Sequence, residues 1–498
     1  MVSAMANKIL LLLIGLTAAL SLTGCPDGGD GSSGPTSLAS SGNVVYLADQ
    51  NTDGVFELFL TSTGAKLNGP LVPGGNVISF ALTPDKSAVV YIADQTIDEV
   101  FELYQVNIAA PGVSVKLNGN LVLGGDVTNF AVTPDGSSVV YLADQRIDQV
   151  FELFRVLFST PQASTLLNPA LTAGRTVTQF AVTPDSTKVV YIANQDTNNV
   201  NELYQVAFAG PLFSQKLNAP LVPGGNVTDF AVTPNSVSVV YLADLRLDQV
   251  FELFLSPITG PGAATPLNPP LTAPQSVASF AVTPDSTAVI YRADQNVAGK
   301  IELFRVAFAA PQASTTLNGP LIAGGNVTGF SIAPDGSSVV YRADQQTFGV
   351  FELYRVALTN PVGPSQKINP DYTAPKGVSA FAITPDSAAA VYLANETVTT
   401  VTQLYRVPFS CLQAVPAPSC PHAVPPPASL PPLNGALAPG GNVSSFAVSP
   451  DSTLVFYIAD QTTFGVKELY AVNVGSPGAS SKLNGPLVPG GNVTAFAF

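Results

Sequence analysis

Acidic side chains recur along the chain at regular intervals, and their type and spacing could support chemistry. One set of aspartates follows an apolar VVY-like segment: Asp49, Asp94, Asp144, Asp244, Asp294, Asp344 and Asp460. Brought together in a ring, such carboxylates could bind cations, because hard ions prefer oxygen ligands. Alternatively, each aspartate accepts hydrogen bonds from backbone amides of the following turn. Asn194 and Asn395 take the same place without the charge, which favours the structural alternative.

A second acidic set recurs in an xEL segment: Glu57, Glu102, Glu152, Glu202, Glu252, Glu302, Glu352 and Glu468. A carboxylate pair among them could serve a glycosidase. However, Gln403 replaces one member, and a residue present in nearly every repeat is typical of fold construction. The sequence therefore predicts no catalytic residue, and it predicts that the protein is not an enzyme.

Two of the three cysteines and the single histidine lie in one insertion at about residues 410–432. Cys411 and Cys420 are predicted to form a disulfide, as cysteines of exported proteins commonly do. The alternative is a zinc site that includes His422. That alternative lacks the paired-ligand spacing of zinc proteins and a fourth ligand, so no metal or cofactor is predicted.

Composition argues against one large class of partner. The chain has 498 residues, a net charge of −14 and only 20 lysines and arginines, which are scattered singly. Binding to a phosphate backbone requires clustered basic residues, so nucleic acid is excluded as a predicted partner.

The N-terminal sequence has the features of an export signal. Lys8 precedes an apolar run, and the segment Leu22-Thr23-Gly24-Cys25 resembles the lipobox of bacterial lipoproteins. Residues 1–24 are thus predicted to be a lipoprotein signal peptide, Cys25 the lipidation site and residues 25–42 a flexible Gly/Ser tether. The predicted location is the bacterial cell envelope, lipid-anchored at the outer membrane or facing the periplasm, with the lipid as the membrane contact.

An internal repeat organises residues 43–498 and positions the acidic sets. Tyrosines from Tyr91 to Tyr341 recur every 50 residues, and each unit contains four short β-branched or aromatic runs separated by turn residues. We name these predicted strands a to d. Runs such as 139–143 are apolar throughout, so both faces of each sheet must be covered. Radial stacking of the sheets satisfies that requirement.

The two ends of the repeat region predict a closed ring. The first unit begins at strand b, whereas residues 493–498 form a strand a with nothing after it. Pairing these segments completes a blade and removes two exposed edges. The predicted fold is therefore an all-β propeller of nine four-stranded blades, formed by a single domain.

The repeat resembles a known family. A TPD turn after an aromatic strand, then a VVY strand and an FELY segment, is similar to TolB-like propeller repeats, which are distant relatives of WD repeats. The units are longer than is usual in that family, and the α/β domain of TolB has no counterpart. The resemblance implies a propeller that serves as a binding platform, or as a gating domain beside a hydrolase.

Unit lengths differ only between strands c and d: the first unit is five residues short and the eighth has fifteen extra residues. These loops either mark a binding face or are a tolerant surface. The predicted function is an envelope-anchored, monomeric scaffold that binds protein or glycan. The alternatives are a carboxylate-dependent enzyme acting on an extracellular polymer and a structural protein of the cell surface.

Overall fold

Each repeat folds as a small antiparallel sheet in which the second strand is the most deeply buried. The computed structural model describes residues 44–210, 213–260, 264–359, 362–396, 398–412 and 430–498. The predicted signal peptide, Cys25 and the tether lie outside these residues. Those assignments, and the membrane anchor that depends on them, stay predictions.

Strand a of each blade is only partly buried. It is formed by β3 (Val77–Leu82), β7 (Val127–Val132), β11 (Val177–Val182), β15 (Val227–Val232), β19 (Val277–Val282), β23 (Val327–Ile332), β27 (Val378–Ile383), β30 (Val443–Val448) and β34 (Val493–Ala497). Strand b is almost entirely buried. It is formed by β1 (Val45–Ala48), β4 (Ala88–Ala93), β8 (Ser138–Ala143), β12 (Lys188–Ala193), β16 (Ser238–Ala243), β20 (Ala288–Ala293), β24 (Ser338–Ala343), β28 (Ala389–Ala394) and β31 (Leu454–Ala459).

Strand c pairs with strand b along its length. It is formed by β2 (Glu57–Leu60), β5 (Glu102–Asn107), β9 (Glu152–Leu157), β13 (Glu202–Ala207), β17 (Glu252–Pro257), β21 (Glu302–Ala307), β25 (Glu352–Ala357), β29 (Gln403–Pro408) and β32 (Glu468–Asn473). Strand d is short. It is formed by β6 (Ser114–Lys116), β10 (Thr165–Leu166), β14 (Gln215–Lys216), β18 (Thr265–Pro266), β22 (Thr315–Thr316), β26 (Gln366–Lys367) and β33 (Ser480–Lys482).

The strands assemble into nine antiparallel sheets, seven of four strands and two of three. Blade 1 contains β34, β1 and β2; blades 2 to 7 take four strands each in chain order; blade 8 contains β27 to β29; and blade 9 contains β30 to β33. Blade 1 lacks a strand d, although an isolated bridge joins Phe59 to Lys66. The predicted nine-bladed propeller is confirmed.

The first and last strands close the ring as predicted. β1 pairs antiparallel with β34, with Tyr46 opposite Phe496 and Val45 opposite Ala497. Phe496 and Phe498 also contact Phe456 of blade 9, with ring centroids 6.3 and 4.7 Å from that of Phe456. The C-terminal strand therefore completes blade 1 and packs against the preceding blade.

The hydrophobic core lies between successive blades. In each blade the strand b tyrosine stacks on an aromatic ring of strand c, as Tyr141 does on Phe154 at 5.5 Å between centroids. Clusters of buried aliphatic side chains then join each blade to the next, for example Val140 and Leu142 of blade 3 with Val189 of blade 4. Strands a of adjacent blades contact each other, as β23 does β27, which places strand a at the inner edge of each blade.

The antiparallel order divides the loops between two faces. The "turn face" carries the a-to-b turns, such as residues 133–137, and the c-to-d loops. The "loop face" carries the b-to-c loops and the d-to-a linkers. Val44, the first described residue, comes directly before β1 and therefore lies at the turn face.

The insertion of blade 8 is described only at its ends. Phe409–Leu412 form a 3-10 turn, which is the only helical element among the described residues. Cys420 and His422 lie outside those residues, so the predicted disulfide with Cys411 stays a prediction. Within the described part of the chain, no helix is long and apolar enough to cross a membrane.

Candidate functional site

The recurring aspartates lie at the loop face and bind backbone amides. Their side chains are buried, with residue exposures from 0 to 7%. In blade 6 the amide N–H of Ser276 donates to Asp294 Oδ1 at 2.7 Å, and that of Gly299 donates to Oδ2 at 2.8 Å. One carboxylate thus joins the residue before strand a to the b-to-c loop, and the same two bonds recur at all seven aspartates.

The two asparagines at the equivalent positions accept the hydrogen bond from the residue before strand a. Asn194 Oδ1 accepts from the amide of Thr176 at 2.6 Å, and Asn395 Oδ1 accepts from that of Gly377 at 2.7 Å. Their Nδ2 groups donate to backbone carbonyls, those of Gly174 and Thr399 among them. The common requirement is therefore an acceptor before strand a. No group of three or more His, Cys, Asp or Glu side chains suited to a metal ion occurs among the described residues.

A polar network repeats beside this position in most blades. In blade 3 the Tyr141 hydroxyl donates to Gln145 Oε1 at 2.8 Å, and Gln145 Nε2 donates to Ser164 Oγ at 3.2 Å. The same hydroxyl accepts from the amide of Gly119 in the preceding linker. Burial raises the pKa of Tyr141 to about 12, so the hydroxyl stays protonated and remains a donor.

The strand c glutamates are buried and paired with cations. Strand d lysines supply the partner in several blades, as Lys216 does for Glu202 at 2.7 Å, while loop arginines do so elsewhere, as Arg146 does for Glu152 at 3.0 Å. In blade 9, burial alone would raise the pKa of Glu468. Hydrogen bonds led by that from Lys482 outweigh burial, and the net pKa is lowered. Where the partner is a strand d lysine, the glutamate joins strands c and d.

Blade 8 departs both from the tyrosine–glutamine network and from the glutamate–cation pair described above. Glu396 stands where seven other blades have Gln, and its carboxylate is buried. Its Oε1 accepts from the hydroxyls of Tyr372 at 2.5 Å and Tyr392 at 2.8 Å, and its Oε2 accepts from the amide of Leu430 at 3.3 Å. Burial raises the pKa of Glu396, and the tyrosine hydrogen bonds offset only part of that rise.

The same blade loses its glutamate–lysine pair. Gln403 replaces the glutamate, and Pro432 replaces the lysine that strand d supplies in blade 9. Pro431 has no amide hydrogen to donate to β29, which is consistent with the lack of a fourth strand among the described residues of blade 8. The only buried carboxylate with a raised pKa in the described chain therefore lies next to the insertion.

Exposed acidic residues form one part of the loop face. The b-to-c loops of blades 1 to 5 carry the "acidic arc", which consists of Asp53, Asp98, Glu99, Asp148, Asp196 and Asp248. All six are exposed. Asp196 is paired with Lys216 at 2.9 Å, whereas the other five carboxylates form no ion pair among the described residues.

Exposed apolar residues continue the same circle. The loops of blades 6 to 9 carry the "apolar arc", which consists of Val297, Phe348, Val398 and Phe464, with exposures of 55, 69, 51 and 65%. Phe348 takes the loop position that Asp248 holds two blades earlier and lies over Gly324, where a Cβ would be 3.2 Å from its ring. Phe348 and Phe464 therefore take the loop position at which Asp98, Asp148 and Asp248 stand in the acidic arc. Val297 and Val398 take the preceding position, which is apolar and exposed in the acidic arc as well, at Ile97, Ile147 and Leu247.

Sequence reasoning missed three features of this face. The substitution of Phe for Asp in blades 7 and 9 was visible in the aligned repeats. So was the glutamate at 396, since it departs from a glutamine present in most blades. The approach of Tyr372 to Glu396 was not, because Tyr372 belongs to the linker from the preceding blade.

Comparisons with known proteins identify the fold. No protein-family model and no curated protein match the chain. A eukaryotic initiation factor is 10% identical with a TM-score of 0.54, covering 92% of this chain and 98% of its own. Dipeptidyl peptidase 4 from Porphyromonas gingivalis is 10% identical with a TM-score of 0.55, and the match covers 83% of this chain and 63% of the peptidase.

A TolB-like neighbour is also found. A candidate TolB from Agrobacterium tumefaciens is 16% identical with a TM-score of 0.30, and the match covers 49% of this chain and 80% of that protein. At that TM-score the similarity supports no conclusion about this chain. It identifies no activity.

The comparisons correct one prediction. The sequence predicted that the protein is not an enzyme, and that prediction is wrong: the similar solved structures are mostly enzymes, including prolyl oligopeptidases, a dipeptidyl peptidase and an oligogalacturonate lyase. The prediction failed because the absence of a catalytic motif within a repeat does not exclude catalysis by a protein with this fold. At these identities the similarity concerns fold alone.

Proposed function

We propose that the chain is an envelope-anchored scaffold that binds a protein partner through the loop face. The observation that carries this proposal is the combination of the acidic arc and the apolar arc on one face. Exposed aromatic side chains grouped on one surface are typical of interaction sites. Carboxylates beside them favour a partner segment that carries Lys or Arg next to apolar side chains.

The test combines site-specific cross-linking with matched variants. A photoreactive residue at position 348 should capture a partner in intact envelopes, whereas one at Val237, which is 56% exposed on the turn face, should not. In the double variant Phe348→Thr with Phe464→Thr, a photoreactive residue at position 297 should lose most of that capture. Threonine is chosen because blade 8 has Thr399 at this loop position, so the ring should stay folded. Asp98→Asn with Asp148→Asn should weaken capture more at low salt than at high salt.

Other outcomes would overturn the proposal. Equal capture from positions 348 and 237, capture of a second copy of the chain, or cross-links to lipid would each contradict a protein interface on the loop face. The anchor is tested separately: Cys25→Ser should abolish labelling with radioactive palmitate. Label retained by that variant would contradict the lipidation prediction and leave the interface proposal unaffected.

A further inference from the structure

Two arginines interrupt the apolar pattern of strand b in adjacent blades. Seven blades place an aliphatic residue two positions before the recurring Asp or Asn: Leu47, Ile92, Leu142, Ile192, Leu242, Leu393 and Ile458. All seven are buried. Blades 6 and 7 place Arg292 and Arg342 there, and both side chains are half-buried.

The two guanidinium groups reach the same short segment. Arg292 Nη1 donates to the carbonyl of Val327 at 3.2 Å, and Arg342 Nε donates to the hydroxyl of Thr328 at 2.9 Å. Val327 and Thr328 are the first two residues of β23, at the inner edge of blade 7. The arginines therefore converge at the loop-face end of the strands that surround the ring axis.

Neither arginine has a carboxylate partner. Among the described residues, neither forms an ion pair, and no acidic group contributes to the pKa of either guanidinium. Burial lowers the pKa of both, and the charge of Arg342 lowers that of Arg292 further. The described partners of both cations are neutral: backbone carbonyls, the Thr328 hydroxyl, the Ser279 hydroxyl at 2.8 Å from Arg292 Nε, and the Phe351 ring at 5.2 Å from the Arg342 guanidinium. No counter-ion among the described residues therefore offsets the removal of the two charges from water.

Space for a ligand lies directly beside Arg342. Its cross-strand partner is Gly329, and a Cβ at that position would meet no other atom within 4 Å. Other blades fill this position with a side chain, for example Asn129, Gln179 or Asp229. Arg342 Nη1 also donates to the carbonyl of Ser379 at 2.5 Å, which holds the guanidinium at the edge of this gap.

We infer that Arg292 and Arg342 form a binding site for an oxyanion, a carboxylate or phosphate group of a ligand that enters the loop face near the ring axis. Guanidinium groups suit both anions because their planar N–H donors match two oxygens at once. The missing side chain at Gly329 leaves room for the anion. This site differs from the two arcs in position and in ligand charge.

The test uses the full chain and two probes, inorganic phosphate and succinate, with binding measured by titration calorimetry and thermal unfolding. At least one probe should bind and raise the melting temperature, and the probe that does so identifies phosphate or carboxylate as the preferred group. The variant Arg292→Leu with Arg342→Ile restores the residues of the other blades. It should fold at least as stably as the parent without anion, yet bind at least tenfold more weakly.

Two further variants separate a binding site from a general charge effect. Gly329→Asp should abolish binding while the ring stays folded, because Asp229 occupies the same place in blade 5. Arg155→Leu removes an arginine at the turn face, where blade 5 has Leu255, and should leave binding unchanged. Failure of both probes to bind, or equal binding by the parent and the double arginine variant, would overturn the inference.

Discussion

Blades 8 and 9 are neighbours built on the same repeat, yet they place their buried carboxylates differently. In blade 9, Glu468 of strand c is held by Lys482 of strand d, and the Tyr457 hydroxyl donates to Gln461 at 2.8 Å. In blade 8 the corresponding strand c residue is Gln403. The carboxylate instead belongs to Glu396, which takes the place of Gln461.

The difference shows how a buried charge depends on its partners. Pro432 in blade 8 offers no cation for strand c, and the strand c position there has lost its carboxylate. At position 396 two tyrosine hydroxyls and one amide hydrogen are available as donors. Burial stays dominant at Glu396, because its hydrogen-bond donors are neutral and Lys376 acts on it only through its charge. The pKa of Glu396 is therefore raised, whereas that of Glu468 is lowered.

The largest expected effect concerns the ring that both blades depend on. Deleting Val493–Phe498 removes β34, uncovers β1 and takes two phenylalanines from the side of blade 9. We expect a loss of more than about 3 kcal/mol in the free energy of unfolding, together with self-association through the exposed edge. Denaturant titration and light scattering measure both.

A deletion of equal length at residues 30–35 is the control, and it should change stability little. If the C-terminal truncation unfolds like the parent and stays monomeric, β34 does not stabilise the ring.

Two substitutions in blade 9 would give it the strand c and strand d residues of blade 8. Lys482→Pro removes the partner of Glu468 and one amide hydrogen of β33. Since the lysine side chain is 38% exposed, we expect a cost of about 1–3 kcal/mol. Adding Glu468→Gln should recover part of that loss, because no carboxylate is then left buried without its cation.

Lys482→Met separates the charge from the backbone effect of proline, and it too should be partly rescued by Glu468→Gln. Denaturant titration of the four variants gives the coupling between the two positions. Costs that simply add would show that the pair contributes nothing as a pair.

The pH dependence of stability should differ between the blades. Because the folded pKa of Glu396 is raised above its ordinary value of 4.5, the folded state holds a proton that the unfolded chain releases. Stability from this group is thus complete below about pH 4.5 and is lost as the pH rises through the folded pKa. Relative to the parent, Glu396→Gln should gain stability over that interval.

Gln461→Glu in blade 9 is the complementary variant and should introduce a similar loss with rising pH. Unfolding free energies measured from pH 4 to pH 8 test both. The paired Glu468 acts in the opposite direction, and its contribution is lost as the pH falls below about 4.5. A parent and a Glu396→Gln variant with parallel profiles would refute a raised pKa at Glu396.

The smallest expected effect tests what the aspartates contribute to every blade. Asp244→Asn keeps an acceptor for the amide of Asn226, as Asn194 does for Thr176, and should cost less than about 1 kcal/mol. Asp244→Ala leaves two amide hydrogens without that acceptor and should cost about 1–3 kcal/mol. Calcium that stabilises the parent but not the Asn variant would instead favour the predicted cation-binding role.

Much of this architecture follows from local sequence. The 50-residue period, the apolar strand b and the turn residues predict four-stranded blades, since each depends on neighbours within one unit. The complementary half-units at residues 44–48 and 493–498 predict the closure. The substitution of Asn for Asp also indicates an acceptor at those positions before any hydrogen bond is known.

Only the tertiary structure determines which residues of different repeats come into contact. Tyr372 lies 24 residues from Glu396 and meets it because the linker from blade 7 crosses the end of blade 8. Arg292 and Arg342 are 50 residues apart and approach one strand because the inner edges of adjacent blades meet near the axis. The repeated sequence determines which strands each unit forms by itself. The curvature of the ring determines which of the residues that depart from the repeat come close to one another.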